Sequence, residues 1–248
     1  MGLGLRGHGS RLQTECNVRD GSRPIFRFGD LFIARSRNVF RSVRKWGANP
    51  VRDRQPAWLM GCAMIGCVID TIFINGTVGS GKTSNAEALS ALEAAAEHPH
   101  AVIDADDVRR LWPAPDGDPF QQELELQNLR GLAENYRAAG AAHLIVAGVI
   151  ERAGDVARYA AALGSTSTGT ARMLLCRLTA DPRVLEARLR ARHDNDQATR
   201  DWHLHRAGEL AGILEVADFD DLVLDSTVKT PRQIAHRIAI AAGWVPAT

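Results

Sequence analysis

The octapeptide Gly76-Thr77-Val78-Gly79-Ser80-Gly81-Lys82-Thr83 constrains this chain more than any other stretch. It satisfies G-x-x-x-x-G-K-[ST] at every fixed position. Its three glycines let the backbone curl until successive N–H groups point into one concavity, a shape that suits phosphate oxygens. A helix that follows adds its positive N-terminal end to the same spot. Context supports the motif. Residues 67–74 before it are rich in β-branched side chains and span one strand, and residues 86–96 after it are strong helix formers. A glycine turn arising by chance would not come with both flanks. The loop therefore predicts a nucleotide phosphate site, with Lys82 on the β- and γ-phosphates and the Thr83 hydroxyl on Mg2+. Gly76, Gly79, Ser80, Gly81, Lys82, Thr83 and Ser84 form the candidate nucleotide-binding set.

The remaining sequence alternates strand and helix. Apolar strands are expected at 101–103, 143–150, 173–178 and 222–225, besides the one before the loop. Helices are expected at 120–139, ended by Gly140, then up to about 163, from Asp181-Pro182 onward, over 199–216, and from Thr230-Pro231 to near Gly243. Five apolar strands separated by helices predict an α/β fold, a parallel five-stranded sheet covered on both faces. The stretch 188–206, with a polar break at 193–196, reads as a helical lid after the fourth strand.

The net charge of +1 hides an asymmetry: residues 1–63 hold 12 Lys and Arg against 4 Asp and Glu, while the rest hold 18 against 25. A basic surface running the whole chain, as a nucleic-acid binder would need, is not expected. The first 63 residues show no periodicity and read as a basic extension, best taken as disordered; a transit peptide or a polybasic arm is the other reading. Met64 stands just ahead of the first core strand, so 64–248 is the expected domain. The apolar stretch 57–74 carries Asp70, a residue expensive in a bilayer, and no membrane partner is expected. Cys16, Cys62, Cys67 and Cys176 form no C-x-x-C pair, which suits free thiols in a reducing cytoplasm rather than a zinc-thiolate site.

Chemistry beyond the loop should sit where the other strands end, since open α/β sheets bind ligands beyond their carboxyl edges. The second strand ends in Asp104-Ala105-Asp106-Asp107-Val108-Arg109. Asp104 and Asp106 leave it facing the γ-phosphate, where a carboxylate orients or deprotonates an accepting hydroxyl or holds Mg2+. Asp104 is the first choice and Asp106 the second; helix capping is the bland reading of both. Arg109, one turn later, can hold an anionic or hydroxylated acceptor. Glu151 reads equally as a group behind the magnesium or a helix-start acid. Arg188 and Arg192 share a helix face at i, i+4 and can close over ATP, although exposed helix arginines are common. Trp202 could pack against the adenine, but filling the lid core is the expected role. His203 and His205, at i, i+2, point apart and do not make a metal site.

Residues 70–151 resemble adenylylsulfate kinase and related small-molecule kinases of the P-loop class. The loop Gly76–Thr83 matches, Asp104–Arg109 is similar to that family's Asp-Gly-Asp-Asn-x-Arg segment, and Gln127-Asn128-Leu129-Arg130 is similar to its Glu-Asn-x-Arg segment. Val149-Ile150-Glu151-Arg152 stands where the family carries Ile-Ser-Pro-Tyr. The resemblance implies a P-loop kinase-like fold with a lid, ATP and Mg2+ as cofactors, Lys82, Asp104 and Asp106 in catalysis, Thr83 and Asp104 at the metal, and Asp106, Arg109 and Asn128 on the acceptor. The expected activity is transfer of the γ-phosphoryl of ATP to a hydroxyl of a small molecule. The alternative is a P-loop NTPase or nucleotide-binding regulatory protein without a small-molecule acceptor; such proteins show a strand ending in Asp, which the third strand lacks.

Overall fold

A computed structural model describes residues 68–165 and 171–246 of the chain. The basic extension expected at 1–63 and the start of the domain at Met64 lie outside the described residues.

Five strands form one all-parallel sheet: β1 (Val68–Gly76), β2 (His100–Asp104), β3 (His143–Ala147), β4 (Ala171–Thr179) and β5 (Leu222–Asp225), in the order β2-β3-β1-β4-β5. Seven helices accompany them: α1 (Lys82–Ala95), α2 (Ala105–Val108), α3 (Gln122–Ala138), α4 (Ala153–Ala162), α5 (Pro182–Arg192), α6 (Gln197–Ala217) and α7 (Pro231–Ala242). The expected P-loop kinase-like sheet is thus present. The third strand stops at Ala147, short of the expected Ile150; Gly148 N donates the last rung of the ladder, to Ile74 O at 3.1 Å.

Alternation along β1 divides the core. Ile72 and Ile74 join Ile145, Leu174, Leu178 and Leu224 beneath Leu89 of α1 and Ile234 and Ile238 of α7. Phe73 points the other way, into Leu144, Val146 and Leu175 beneath Leu126 and Leu129 of α3 and Tyr159 of α4. Both faces of the sheet are covered, and therefore its strands carry runs of apolar residues. Phe73 meets the Tyr159 ring edge-on, with centroids 5.4 Å apart.

Local chemistry sets the helix ends. Asp181 caps α5 by accepting from Arg183 N at 2.8 Å, with Pro182 at the first position. Thr230 and Gln233 form a capping box on α7, which Gly243 ends at φ 73°. The stretch expected as a lid falls on the helices α5 and α6, joined through His193–Asp196. Trp202 does not fill its core: α6 buries Ala207, Leu210 and Leu214, one stripe that Trp202 is off, leaving it 45% exposed and edge-on to His203. Among the described residues no helix is long and apolar enough to cross a membrane.

Candidate active site

The phosphate loop leaves β1 where the chain must turn inside a crowded sheet edge. Gly76 has φ 140°, and a Cβ there would lie 2.6 Å from Leu178 O and 2.8 Å from Ser80 Oγ. Only glycine fits this approach. Gly79 and Gly81 also have positive φ, at 82° and 97°. Gly81 is the N-cap of α1 and supplies no side chain, so the first turn of the helix has no side-chain cap. Ser80 Oγ is buried and makes no hydrogen bond among the described residues. An uncapped helix start, a glycine-built cradle and an unsatisfied hydroxyl fit a nucleotide phosphate.

Lys82 Nζ lies across the loop, donating to Gly76 O at 3.0 Å and Thr77 O at 3.3 Å. Burial pushes its ammonium below the ordinary value, opposed by the charges of Asp106 and Asp104. Thr83 Oγ1 donates to Asp104 Oδ2 at 2.8 Å. The two residues expected at Mg2+ are therefore adjacent, an oxygen pair of the hard type that this cation prefers. Ser84 is exposed on the first turn of α1.

Asp104 serves two elements at once. Its Oδ1 accepts from Asp106 N at 3.0 Å, capping the short helix α2, while Oδ2 reaches the loop. Asp106 pairs with Arg109. Burial raises the Asp106 carboxyl, but Arg109 and then Lys82 outweigh it and hold the group below the usual carboxylate range. Arg109 also meets Glu125 Oε2 at 3.1 Å. Burial works against the Arg109 charge; Glu125 and Asp106 overcome it and raise its pKa. Asn128 does not project freely toward an acceptor: its amide donates to Val108 O at 2.5 Å, bracing the turn that carries Arg109.

Glu125 escaped the sequence reading. It is 1% exposed, accepts from Tyr159 Oη at 3.1 Å through Oε1, and is pushed up to about 7 by burial, which Arg109 and the Tyr159 hydrogen bond only partly offset. The Tyr159 hydroxyl is raised in turn, first by burial and then by the Glu125 charge. The available signal was a carboxylate in the buried stripe of α3, beside Leu126, Leu129 and Ala133. Asn75 was also missed. Its Oδ1 accepts from Gly76 N at 2.9 Å and Ile150 N at 3.2 Å, and its Nδ2 donates to Ile150 O and Asp220 Oδ1, both at 3.1 Å. It ties the loop's first residue to the segment that follows β3 and to the residue two before the start of β5. Asp220, paired with buried Arg177 at 2.8 Å, is pushed up to about 6 by burial despite that partner.

Helices α5 and α6 meet the loop directly. Arg188 donates to Gly79 O at 3.3 Å, Ser226 Oγ at 3.2 Å and Ser226 O at 2.7 Å, and Ser226 Oγ donates to Ser80 O at 3.0 Å. Thr77 Oγ1 donates to Ala207 O of α6 at 2.8 Å. Arg192 is exposed at the end of α5, its charge felt at Lys82. Glu151 pairs with Arg206, whose guanidinium also lies 5.1 Å from the Phe120 ring centroid. Leu111, Trp112 and Phe120, in the segment between α2 and α3, are all exposed.

No curated protein matches the chain in sequence. Several solved structures share its outline. The tunicamycin resistance protein of Deinococcus radiodurans is 24% identical, over 71% of this chain and 96% of that one, with a TM-score of 0.50. Shikimate kinase from Acinetobacter baumannii is 14% identical over 75% and 99%, with a TM-score of 0.47. The APS kinase of Mycobacterium tuberculosis, in complex with AMPPNP and APS, is 16% identical over 71% and 99%, with a TM-score of 0.43. The model of the family described as AAA domain matches residues 72–209, more than half of the sequence and all of the loop, so the chain belongs to the AAA domain family.

Proposed function

We propose that this protein is an ATP-dependent phosphotransferase that moves the γ-phosphoryl of ATP to a hydroxyl of a small molecule. The observation that carries the reading is the junction at Thr83 and Asp104: the second residue of α1, at the close of the phosphate loop, is hydrogen-bonded to the carboxylate that ends β2, and Asp106, Arg109 and Glu125 continue away from it. A plain NTPase needs the loop and a metal carboxylate, but has no use for a second, buried carboxylate–arginine set beside them.

ATP with Mg2+ would supply the transferable group and the cation that neutralises its charge. Lys82 and the loop N–H groups bind and orient the phosphates, and Thr83 and Asp104 would hold the metal. Asp106, kept ionised by Arg109 and Lys82, is the group to take the proton of the acceptor hydroxyl as the new P–O bond forms. Arg109 and Glu125 offer an acceptor one donor and one carboxyl, with Asn128 bracing the turn between them. The exposed side chains of Leu111, Trp112 and Phe120 suit an acceptor with an apolar ring as well as a hydroxyl. Arg188 and Arg192 line the lid side, where closure would exclude water. A cytoplasmic setting goes with ATP as co-substrate and with the buried thiol of Cys176.

The test is ADP release by the purified chain with ATP and Mg2+, alone and against a panel of acceptors. The panel holds adenylylsulfate, nucleosides, sugar acids, aminoglycoside and phenicol antibiotics, and tunicamycin, for which a protein of this fold is named. Acceptor-dependent ADP release, abolished by Lys82→Ala, is the expected result. Steady release without an acceptor, unchanged across the panel, would instead identify an NTPase.

A further inference from the structure

The opposite edge of the sheet carries a second cluster of chemistry that phosphoryl transfer does not use. Glu93 lies near the C-terminal end of α1, His98 in the turn that follows, and His143 at the first residue of β3. Glu93 is fully buried, an unusual position for a carboxylate. Its Oε2 sits 2.5 Å from His143 Nδ1 and 3.4 Å from His98 Nδ1. One ligand atom from each of the three residues falls within 4.8 Å of the other two. Glu93 Oε1 and His98 Nδ1 are both buried and make no hydrogen bond among the described residues.

Backbone and ring contacts hold this arrangement in place. His98 N donates to Glu93 O at 3.0 Å, closing the turn after the helix. Pro99 O accepts from His143 N at 3.1 Å and from Ala142 N at 2.8 Å, which ties the same turn to the start of β3. The His143 imidazole lies flat on Trp244, with centroids 4.0 Å apart and planes 1° apart, and Trp244 Nε1 is anchored on Ile69 O at 2.8 Å. Stacking on Trp244 and the contact with Glu93 hold the His143 ring from two sides, and the imidazoles of His98 and His143 meet edge to face.

We propose that Glu93, His98 and His143 form a binding site for a divalent transition metal of the zinc type. Two imidazoles and one carboxylate are a donor set that suits Zn2+ and not Mg2+, whose preference is for oxygen alone. Ligand bonds of about 2.0–2.2 Å need the donors to stand a little further apart than the Glu93–His143 contact. A cation would therefore replace the direct Glu93–His143 hydrogen bond, with the Glu93 carboxylate shifting off His143, the partly exposed His98 side chain adjusting to bring its Nδ1 in, and water as the fourth ligand. A buried carboxylate oxygen without a partner is costly, and a cation bound there would satisfy it. The site would fasten the far end of α1, whose first turn carries Lys82 and Thr83, to the starts of β2 and β3. Its role is structural, because it stands at the edge remote from the phosphate loop.

The full chain, stripped of metal with a chelator, is titrated with Zn2+ against a chromophoric competitor, and its melting temperature is read with and without Zn2+. Expected are one equivalent of Zn2+ that raises the melting temperature, with affinity weakened at least about tenfold by His98→Ala and by Glu93→Gln. His98 lies on a half-exposed turn, so His98→Ala leaves the core intact and keeps the test valid even if Glu93→Gln fails to fold. Co2+ in place of Zn2+ should give the visible bands of a four-coordinate site in the wild type and lose them in His98→Ala. No Zn2+-dependent stabilisation in the wild type, or binding that both variants leave unchanged, would overturn the site and leave Glu93 and His143 as a hydrogen-bonded clamp. None of these readouts involves ATP, so the proposal stands or falls apart from the kinase reading.

Discussion

Asp104 joins two elements through one side chain, since it caps α2 with one oxygen and holds Thr83 with the other. Asp104→Asn separates charge from geometry. Asparagine is as good a cap as aspartate: its one oxygen can accept from Asp106 N while its amide NH2 donates to the Thr83 hydroxyl, which then accepts, so the fold should be unchanged. The lost charge should lower turnover by roughly 100- to 10,000-fold while metal-free ATP binding stays within a few fold. Steady-state kinetics with a nucleotide-binding titration checks this; loss of metal-free ATP binding would make Asp104 a structural support of the loop. The glycines, Lys82, Thr83 and Asp104 were legible because phosphate chemistry fixes both residue types and spacing. Glu125 and Asn75 were not, because nothing local marks them. Glu125 reads as one more helix acid until α4 packs Tyr159 against it, and Asn75 until the segments after β3 and before β5 converge on its amide.

At the scale of elements, the strands and caps were legible wherever a local cause sets them. β5 is found at the expected residues, and Asp181-Pro182 and Thr230-Pro231 start helices as their chemistry requires. Boundaries moved where tertiary contacts decide, as at Gly148, where a Cβ would lie 2.7 Å from Phe73 and 2.9 Å from the Ala105 Cβ. Helices α5 and α6 were legible as helices, but what α5 touches was not. Arg188 looked like a cation for developing charge, yet its guanidinium is occupied by the carbonyls of Gly79 and Ser226. It couples α5 to the loop and to the end of β5. Arg188→Ala should therefore raise the KM for ATP by about tenfold and lower kcat less, the signature of lost positioning rather than lost transition-state charge. Arg188→Lys should recover little, since an ammonium cannot span both carbonyls as the planar fork does. A kcat falling with KM unchanged would return Arg188 to the role of a charge-stabilising finger.

The whole molecule stores a cost at its functional edge. Two carboxyls there, Glu125 and Asp220, are raised by burial to about 7 and about 6. Each sits beneath the strand ends that build the site, and each forces the fold to carry a group more comfortable protonated than ionised. For Glu125, the folded chain binds more protons than the unfolded chain between the ordinary value of 4.5 and about 7. Stability from this group is therefore greatest below pH 4.5, falls as the pH rises through that window, and is level above it. Glu125→Gln cannot ionise, keeps an oxygen for the Tyr159 hydroxyl, and leaves Asp220 untouched, so the contribution of Asp220 cancels between the two proteins. The stability of wild type minus that of Glu125→Gln should decline across pH 4.5 to 7 by on the order of 2 kcal/mol. Urea unfolding at four pH values through and above the window measures it. A difference that instead rises with pH would mean that Arg109 holds Glu125 ionised in the fold, and the acceptor side of the site would then carry a fixed ion pair rather than a carboxyl able to donate or accept a proton near neutrality.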